Sequence, residues 1–304
     1  MMPKKFPFHI LVFTAPAVLL YSVFMIYPLF DSLRLSLFAQ GLDFKPVFVG
    51  LENYHKLLTD ERLAPTLWNA VQNNAVFFVI HMVLQNPIGL GLAVLLNGKI
   101  RGSSLYRSLI FIPTVLSVVL VGLSWRMILS PIWGIAEGAL GVFGLQSWYQ
   151  PWLGLENSAL LTVSLMSVWQ NVGIPMMLFL AALVRIPEEL LEAARVDGAS
   201  FWTIFWRIQF PLILPVVGIV TVLTFVGNFN AFDLVYASQG ALAGPDFSTD
   251  LLGTFFYRTF FGFQLQSGNP YLGASIAGVM LLIILGGLLF YLFTFVRRVE
   301  QVEY

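Results

Sequence analysis

Long apolar runs separated by shorter polar connections dominate the chain. Six of them reach the roughly 20 residues a helix needs to cross a hydrocarbon core about 30 Å thick. They lie near Ile10 to Phe30, Ala70 to Leu96, Ser108 to Leu129, Ser158 to Val184, Pro211 to Asp233 and Tyr271 to Val296. Backbone amides in lipid must be satisfied within their own segment, so each run predicts a helix, and the short alternating stretches of barrel strands do not occur. The expected fold is all-α: a polytopic membrane helical bundle of six transmembrane helices, in one domain over residues 1–304.

Composition agrees with that pattern. Hydrophobic residues make up 58% of the chain and charged residues 11%, against about 25% charged in soluble domains. The formal net charge is +0, so nothing points to nucleic acid as a partner. With no cysteine, disulfides, thiolate nucleophiles and cysteine metal sites are excluded, and the redox compartment stays open. Lys4 and Lys5 precede a first run that is too long for a signal-peptide core and has no small-x-small cleavage site, so it reads as a retained span.

Charge placement orients the bundle. One set of connections holds Lys4, Lys5, Lys99, Arg101, Arg107, Arg185, Arg195, Arg207, Arg297 and Arg298; the other holds Arg34, Lys45, Lys56, Arg62 and Arg258, with Arg126 at a span's end. The first set wins by 10 to 6 and sits in short loops close to span ends, which places both termini in the cytoplasm. The outer connections, Asp31 to Asn69, Ser130 to Asn157 and Leu234 to Pro270, are longer and rich in Gly, Pro and Trp. Their aromatic stretches, Ser147 to Trp152 and Phe255 to Phe261, read as headgroup-level anchors, with a sugar-stacking platform as the lesser option.

The inner loop Arg185 to Pro211 describes two short helices joined by a tight turn. Pro187 suits a helix start, Glu188 and Glu189 complement its positive end, and Gly198 can take a left-handed cap, so the first helix is expected from about Pro187 to Asp197. Ser200 can cap the second, which carries Phe201, Trp202, Ile204, Phe205 and Ile208 before Pro211 begins the next span. Glu188, Glu192, Arg195 and Asp197 share one charged face, which by itself reads either as a solvated surface with local ion pairs or as a docking element.

Glu192-Ala193-Ala194, followed by Asp197-Gly198, Ile208 and Pro211, resembles the EAA loop of inner-membrane permeases of binding-protein-dependent ABC importers. Phe210 stands where that family usually has Leu. Val49 to Tyr54, Pro28, Arg107 to Pro113 and Phe232 to Tyr236 extend the resemblance to the carbohydrate-type permeases over nearly the whole chain. It implies the ABC type I importer permease fold in a bacterial or archaeal cytoplasmic membrane. It also implies a second permease subunit, usually a different chain, two ATPase subunits, an extracytoplasmic solute-binding protein and a sugar substrate. Glu192, Ala193, Ala194, Arg195, Asp197 and Gly198 would then seat a coupling helix in the ATPase. The chain carries no Walker-type phosphate loop, so hydrolysis, with ATP and Mg as cofactors, is expected on the partner and no cofactor or metal on this chain.

Polar residues inside spans are functional hypotheses by default. Span two holds Gln72, Asn73, Asn74, His81, Gln85 and Asn86, for which interhelical hydrogen bonding is the favoured reading. His81, with no acid or second histidine at ligand spacing, reads as packed or amide-paired, and Asp233 as a helix-end contact. By the resemblance, Ser167, Gln170, Asn171, Thr224, Gly227 and Asn228 fall where similar maltose permeases contact sugar. Amides and hydroxyls without fixed charge suit a neutral, hydroxyl-rich solute. The rival class is a self-sufficient ion-coupled carrier or channel, which would show acids at mid-membrane or broken helices in repeats. A membrane enzyme lacks any convergent nucleophile, base or metal set here.

Overall fold

The computed structural model describes residues 8–41, 43, 45–98, 100–264 and 266–296. Lys4, Lys5, Lys99, Arg297 and Arg298 of the charge argument lie outside them. Four helices are long and apolar enough to cross a membrane: Val12–Leu35, Leu63–Asn97, Phe201–Phe229 and Pro270–Thr294. Two bent pairs bring the number up to the expected six if each is counted as one span: Ser103–Val115 with Val118–Ile128, at 94°, and Glu156–Asn171 with Gly173–Val184, at 42°.

Three spans differ from the sequence expectation at identifiable residues. Span two begins about two turns before Ala70, at Leu63. The Asp60 carboxylate accepts from the backbone N–H groups of Arg62 at 2.9 Å and Leu63 at 3.0 Å, and these bonds hold its carboxyl below the usual carboxylate range. Span five does not start at Pro211 but runs unbroken from Phe201, and it ends at Phe229; Asp233 opens a separate helix, Asp233–Gln239. Span three is not straight. Its break falls at Leu116 and Ser117, where the freed Leu116 carbonyl accepts from the Gln170 amide at 3.3 Å.

The unbroken passage through Pro211 has a physical cause. Proline lacks an N–H, and its ring clashes with the carbonyl four residues back, which normally ends or kinks a helix. Here a π-turn, Phe205–Gln209, sits just before it, closed by Phe210 N–H on the Phe205 carbonyl. The same arrangement precedes Pro87, with π-turn His81–Gln85 closed by Asn86 on His81, and Pro28, with Ser22–Ile26 closed by Tyr27 on Ser22. Each widened turn lets the helix continue past its proline.

The chain divides into two compact units, one drawn from the chain before Pro65 and from Phe256–Leu281, the other from Pro65–Phe255 and the chain after Leu281. In the larger unit, Gly173–Val184 packs along Asn86–Asn97, and Asp233–Gln239 packs on Val118–Ile128. Both contacts are close because glycine makes them. A Cβ on Gly122 would stand 2.7 Å from the Ala237 Cβ, and one on Gly89 would stand 3.0 Å from the Met176 backbone nitrogen. Two apolar cores form around these contacts. Phe77, Val163, Met166 and Val235 belong to one, and Ala93, Met176, Phe179 and Ile213 to the other.

In the smaller unit a polar knot ties the C-terminal end of span one. Asn53 donates to the carbonyls of Ser36 at 2.8 Å and Phe38 at 2.7 Å, Ser275 donates to the Ser36 carbonyl at 3.3 Å, and the Ser36 and Tyr54 hydroxyls are 2.8 Å apart. Short hairpins, Phe38–Gln40 with Pro46–Phe48 and Gly262–Phe263 with Gln266–Ser267, complete it. The aromatic stretch from Phe255 to Phe261 does not expose all of its rings alike. It forms the end of helix Leu252–Phe261, which turns Phe255 inward (2% exposed) and leaves Phe261 outward.

Candidate functional site

Spans two, four and five leave a cavity of about 300 Å³ between them, within the usual range for small-molecule sites. Ser167, Gln170, Asn171, Thr224, Gly227 and Asn228, scattered over two spans in sequence, all lie on its wall. Span four bends by 42° just after Asn171, and Gly227 gives an open stretch where a Cβ would meet nothing within 4 Å.

The wall is largely organised by its own hydrogen bonds. The Thr224 hydroxyl, a single donor, lies 2.8 Å from the Val220 carbonyl and 3.2 Å from Asn86 Oδ1. The amides of Asn171 and Asn228 donate one turn back along their own helices, to the carbonyls of Ser167 at 3.0 Å and Thr224 at 2.8 Å. His81 Nδ1 lies 2.7 Å from the Phe77 carbonyl, which can only accept, so this nitrogen carries the proton. In a neutral ring Nε2 then accepts from the Ser167 hydroxyl at 2.9 Å. His81 is thus paired, as expected, but with a hydroxyl and a carbonyl instead of an amide.

The span-two amides bear out the bonding role in part. Asn74 donates to the Asn228 carbonyl at 2.8 Å and accepts from the Leu252 N–H at 2.7 Å, while Asn73 donates to the Asp250 carbonyl at 3.0 Å. Phe77, His81 and Gln85, however, also line the cavity. Sequence reasoning assigned His81 and Gln85 to packing. The available signal was their spacing of four, which puts all three on one helix face. Asp233 joins the wall as well, from the start of its short helix.

The second element of interest is an exposed helix, Glu188–Val196, in the connection between spans four and five. Pro187 and Asp197 flank it, and Gly198 takes the left-handed cap at φ +78°. Ser200 Oγ accepts from the Thr203 N–H at 3.3 Å and starts the next helix. Only Leu191 is buried in the first helix; Glu192, Ala193 and Arg195 face outward, and Val196 is 88% exposed. Among the described residues Glu192, Arg195 and Asp197 form no ion pair.

Residues 85–300 match the family described as the binding-protein-dependent transport system inner membrane component. The chain belongs to this family. The matched stretch contains both the exposed helix and the six cavity residues named above. This inner-membrane component is 34% identical over 277 residues to the probable ABC transporter permease protein YurN of Bacillus subtilis strain 168, over 90% of this chain and 91% of that one. It is also 34% identical over 254 residues to the lactose transport system permease protein LacF of Rhizobium radiobacter, over 83% of each chain. A solved bacterial alginate ABC transporter, in complex with an alginate pentasaccharide-bound periplasmic protein, shares the fold at TM-score 0.77 and 20% identity over 93% of this chain and 92% of that one. The chain is the membrane-embedded permease of an ABC importer, and the self-sufficient carrier or channel is set aside.

Proposed function

We propose that this permease takes up a sugar or oligosaccharide delivered by an extracytoplasmic binding protein, and that the chain acts as one transmembrane permease domain. The observation that carries the reading is the meeting of Ser167, Gln170, Asn171, Thr224, Gly227 and Asn228 on one cavity. Amides, hydroxyls and the ring of Phe77 are what a neutral polyol needs from a wall. The names of LacF and of the alginate transporter support the class of substrate.

In this reading the exposed helix at Glu188–Val196 is a coupling helix. It seats Glu192, Ala193, Ala194, Arg195, Asp197 and Gly198 in one of two ATPase subunits, and a second permease, a different chain, completes the pair. ATP and Mg belong to the ATPases, and this chain hydrolyses nothing. Both termini lie in the cytoplasm of a bacterial or archaeal cell, and the outer connection after Asp233 receives the binding protein. ATP-driven closure of the ATPases would move the seated helices and shift the spans between inward and outward openings.

The test is Asn228→Ala in the complete importer, with uptake measured for the saccharide that the binding protein retains on purification. Loss of a directional hydrogen bond should weaken transport about 3- to 10-fold while assembly stays normal. Reduced membrane yield with normal uptake per assembled complex would show that Asn228 only packs.

A further inference from the structure

A second cavity lies apart from the one described above. Spans three and four and the connection between them leave a groove of about 390 Å³. Its wall includes Trp125 and Leu129 from the end of span three, Trp152 from the connection, and Leu161, Leu165 and Trp169 from span four. The last three recur every fourth residue, so they share one face of helix Glu156–Asn171, and all three are exposed. The Trp125 and Trp169 rings meet edge to face at 5.5 Å, which sets both indoles in the wall.

The polar groups of this wall suit an amphiphile and not a hydrophilic solute. The hydroxyls of Ser158 and Thr162 donate to the carbonyls of Trp152 at 2.7 Å and Ser158 at 2.8 Å, so both are spent on the backbone. Among the described residues no charged side chain lines the groove. What remains are three indole N–H groups, which only donate and meet no acceptor of the chain among the described residues. An apolar body with one polar tip is the chemistry of the membrane interface.

Length and charge name the occupant. From Ser158 to Trp169 the wall rises about 16 Å along span four, close to half of a hydrocarbon core of about 30 Å and so to the depth of one leaflet. Arg126 follows Trp125 and stands one turn before Leu129, at the edge of the groove. It is exposed and forms no ion pair among the described residues. A guanidinium can take a phosphate through two parallel N–H bonds. Leu120, Leu123 and Met127 of the same helix are also exposed, and the groove continues that apolar surface of an inner-membrane component.

We propose that the groove is a site for one anionic phospholipid, with an acyl chain along Leu161, Leu165 and Trp169 and the phosphate on Arg126. Such a lipid fills the space between span four and the second helix of span three, beyond its 94° bend. The site is independent of the solute that the importer carries.

The experiment uses the assembled importer, both permeases with their ATPases, in phosphatidylcholine nanodiscs containing a trace of phosphatidylglycerol with a diazirine on its acyl chain. After photolysis the adducts are mapped by peptide mass spectrometry. They should concentrate on Trp125 to Leu129 and Leu161 to Trp169, at least about fivefold above span one, whose exposed Phe13 and Phe24 serve as the reference for bulk lipid. Exchanging the host lipid for unlabelled phosphatidylglycerol should lower the groove adducts about 3- to 10-fold and leave those of span one unchanged. Arg126→Gln, a change at an exposed residue, should lower the groove adducts about 3- to 10-fold in the phosphatidylcholine discs. Leu165→Trp, which fills the groove without touching the charge, should lower them as well. Groove adducts no richer than those of span one overturn the proposal, whether the groove is then empty or covered by the second permease. So do groove adducts within twofold of the original after the host exchange, or within twofold in Arg126→Gln, even where Leu165→Trp fails to assemble.

Discussion

Gly198→Arg is expected to abolish uptake while the chain is made and inserted at its normal level. Gly198 holds φ +78°, and a Cβ placed on it would have nothing within 4 Å, so a side chain leaves the backbone there into open space. The left-handed backbone strains any L-residue by about 1–2 kcal/mol, too little to unfold a packed bundle. In the coupling reading, what the arginine would meet is the ATPase subunit docked on the exposed helix. A bulky residue at the centre of such a contact is expected to weaken it by at least about 2 kcal/mol, roughly 30-fold, so the ATPase should fall away on purification and uptake should vanish. Gly198→Ala separates the two contributions, because it carries the same backbone strain with little bulk and should retain most uptake. Equal losses in both variants would assign the effect to the helix cap, and normal uptake in Gly198→Arg would end the coupling assignment.

Asn74→Leu is expected to have the largest effect on stability. The Asn74 side chain is fully buried and joins span two to the end of span five, through the Asn228 carbonyl, and to the start of helix Leu252–Phe261, through the Leu252 N–H. Leucine fills similar space and makes neither bond. The Asn228 carbonyl would keep its weaker bond from the Ala231 N–H at 3.2 Å, whereas the Leu252 N–H would be left without its acceptor. A loss of about 1–3 kcal/mol follows, dominated by that N–H. It would be read as a lower Tm of the purified complex and a smaller yield. Asn74→Asp keeps the acceptor for Leu252 and should fall between the two. A Tm unchanged in Asn74→Leu would mean that neither bond contributes to the fold.

Much of the site could be read in advance because its signals are local. The turn at Gly198, the cap at Ser200 and the exposed charged helix all follow from residues a few positions apart, whose backbone preferences act without help from the rest of the chain. The cavity was only half legible. Ser167 to Asn171 and Thr224 to Asn228 came from a resemblance, and Phe77, His81 and Gln85 were missed as wall residues because a buried polar side chain looks the same in sequence whether it faces a neighbouring helix or a cavity. Asn74 and Gln85, both in span two, take those opposite fates.

Hydropathy by itself determined an all-helical membrane bundle, since apolar length and backbone satisfaction in lipid leave no other fold, and it predicted six crossings. Proline was the least faithful local signal. Pro28, Pro87 and Pro211 each argue for a break, yet π-turns carry the helix past all of them, while the sharp 94° bend falls at Leu116 and Ser117. The cause is tertiary. The carbonyl released at Leu116 is taken up by Gln170 from another span, and the close approach that makes this possible needs Gly173, where a Cβ would stand 2.8 Å from Thr114 Oγ1. Sequence decides which segments leave water; only the packed helices decide where a backbone group finds its second partner, and therefore which spans bend and which polar side chains remain free to meet a solute.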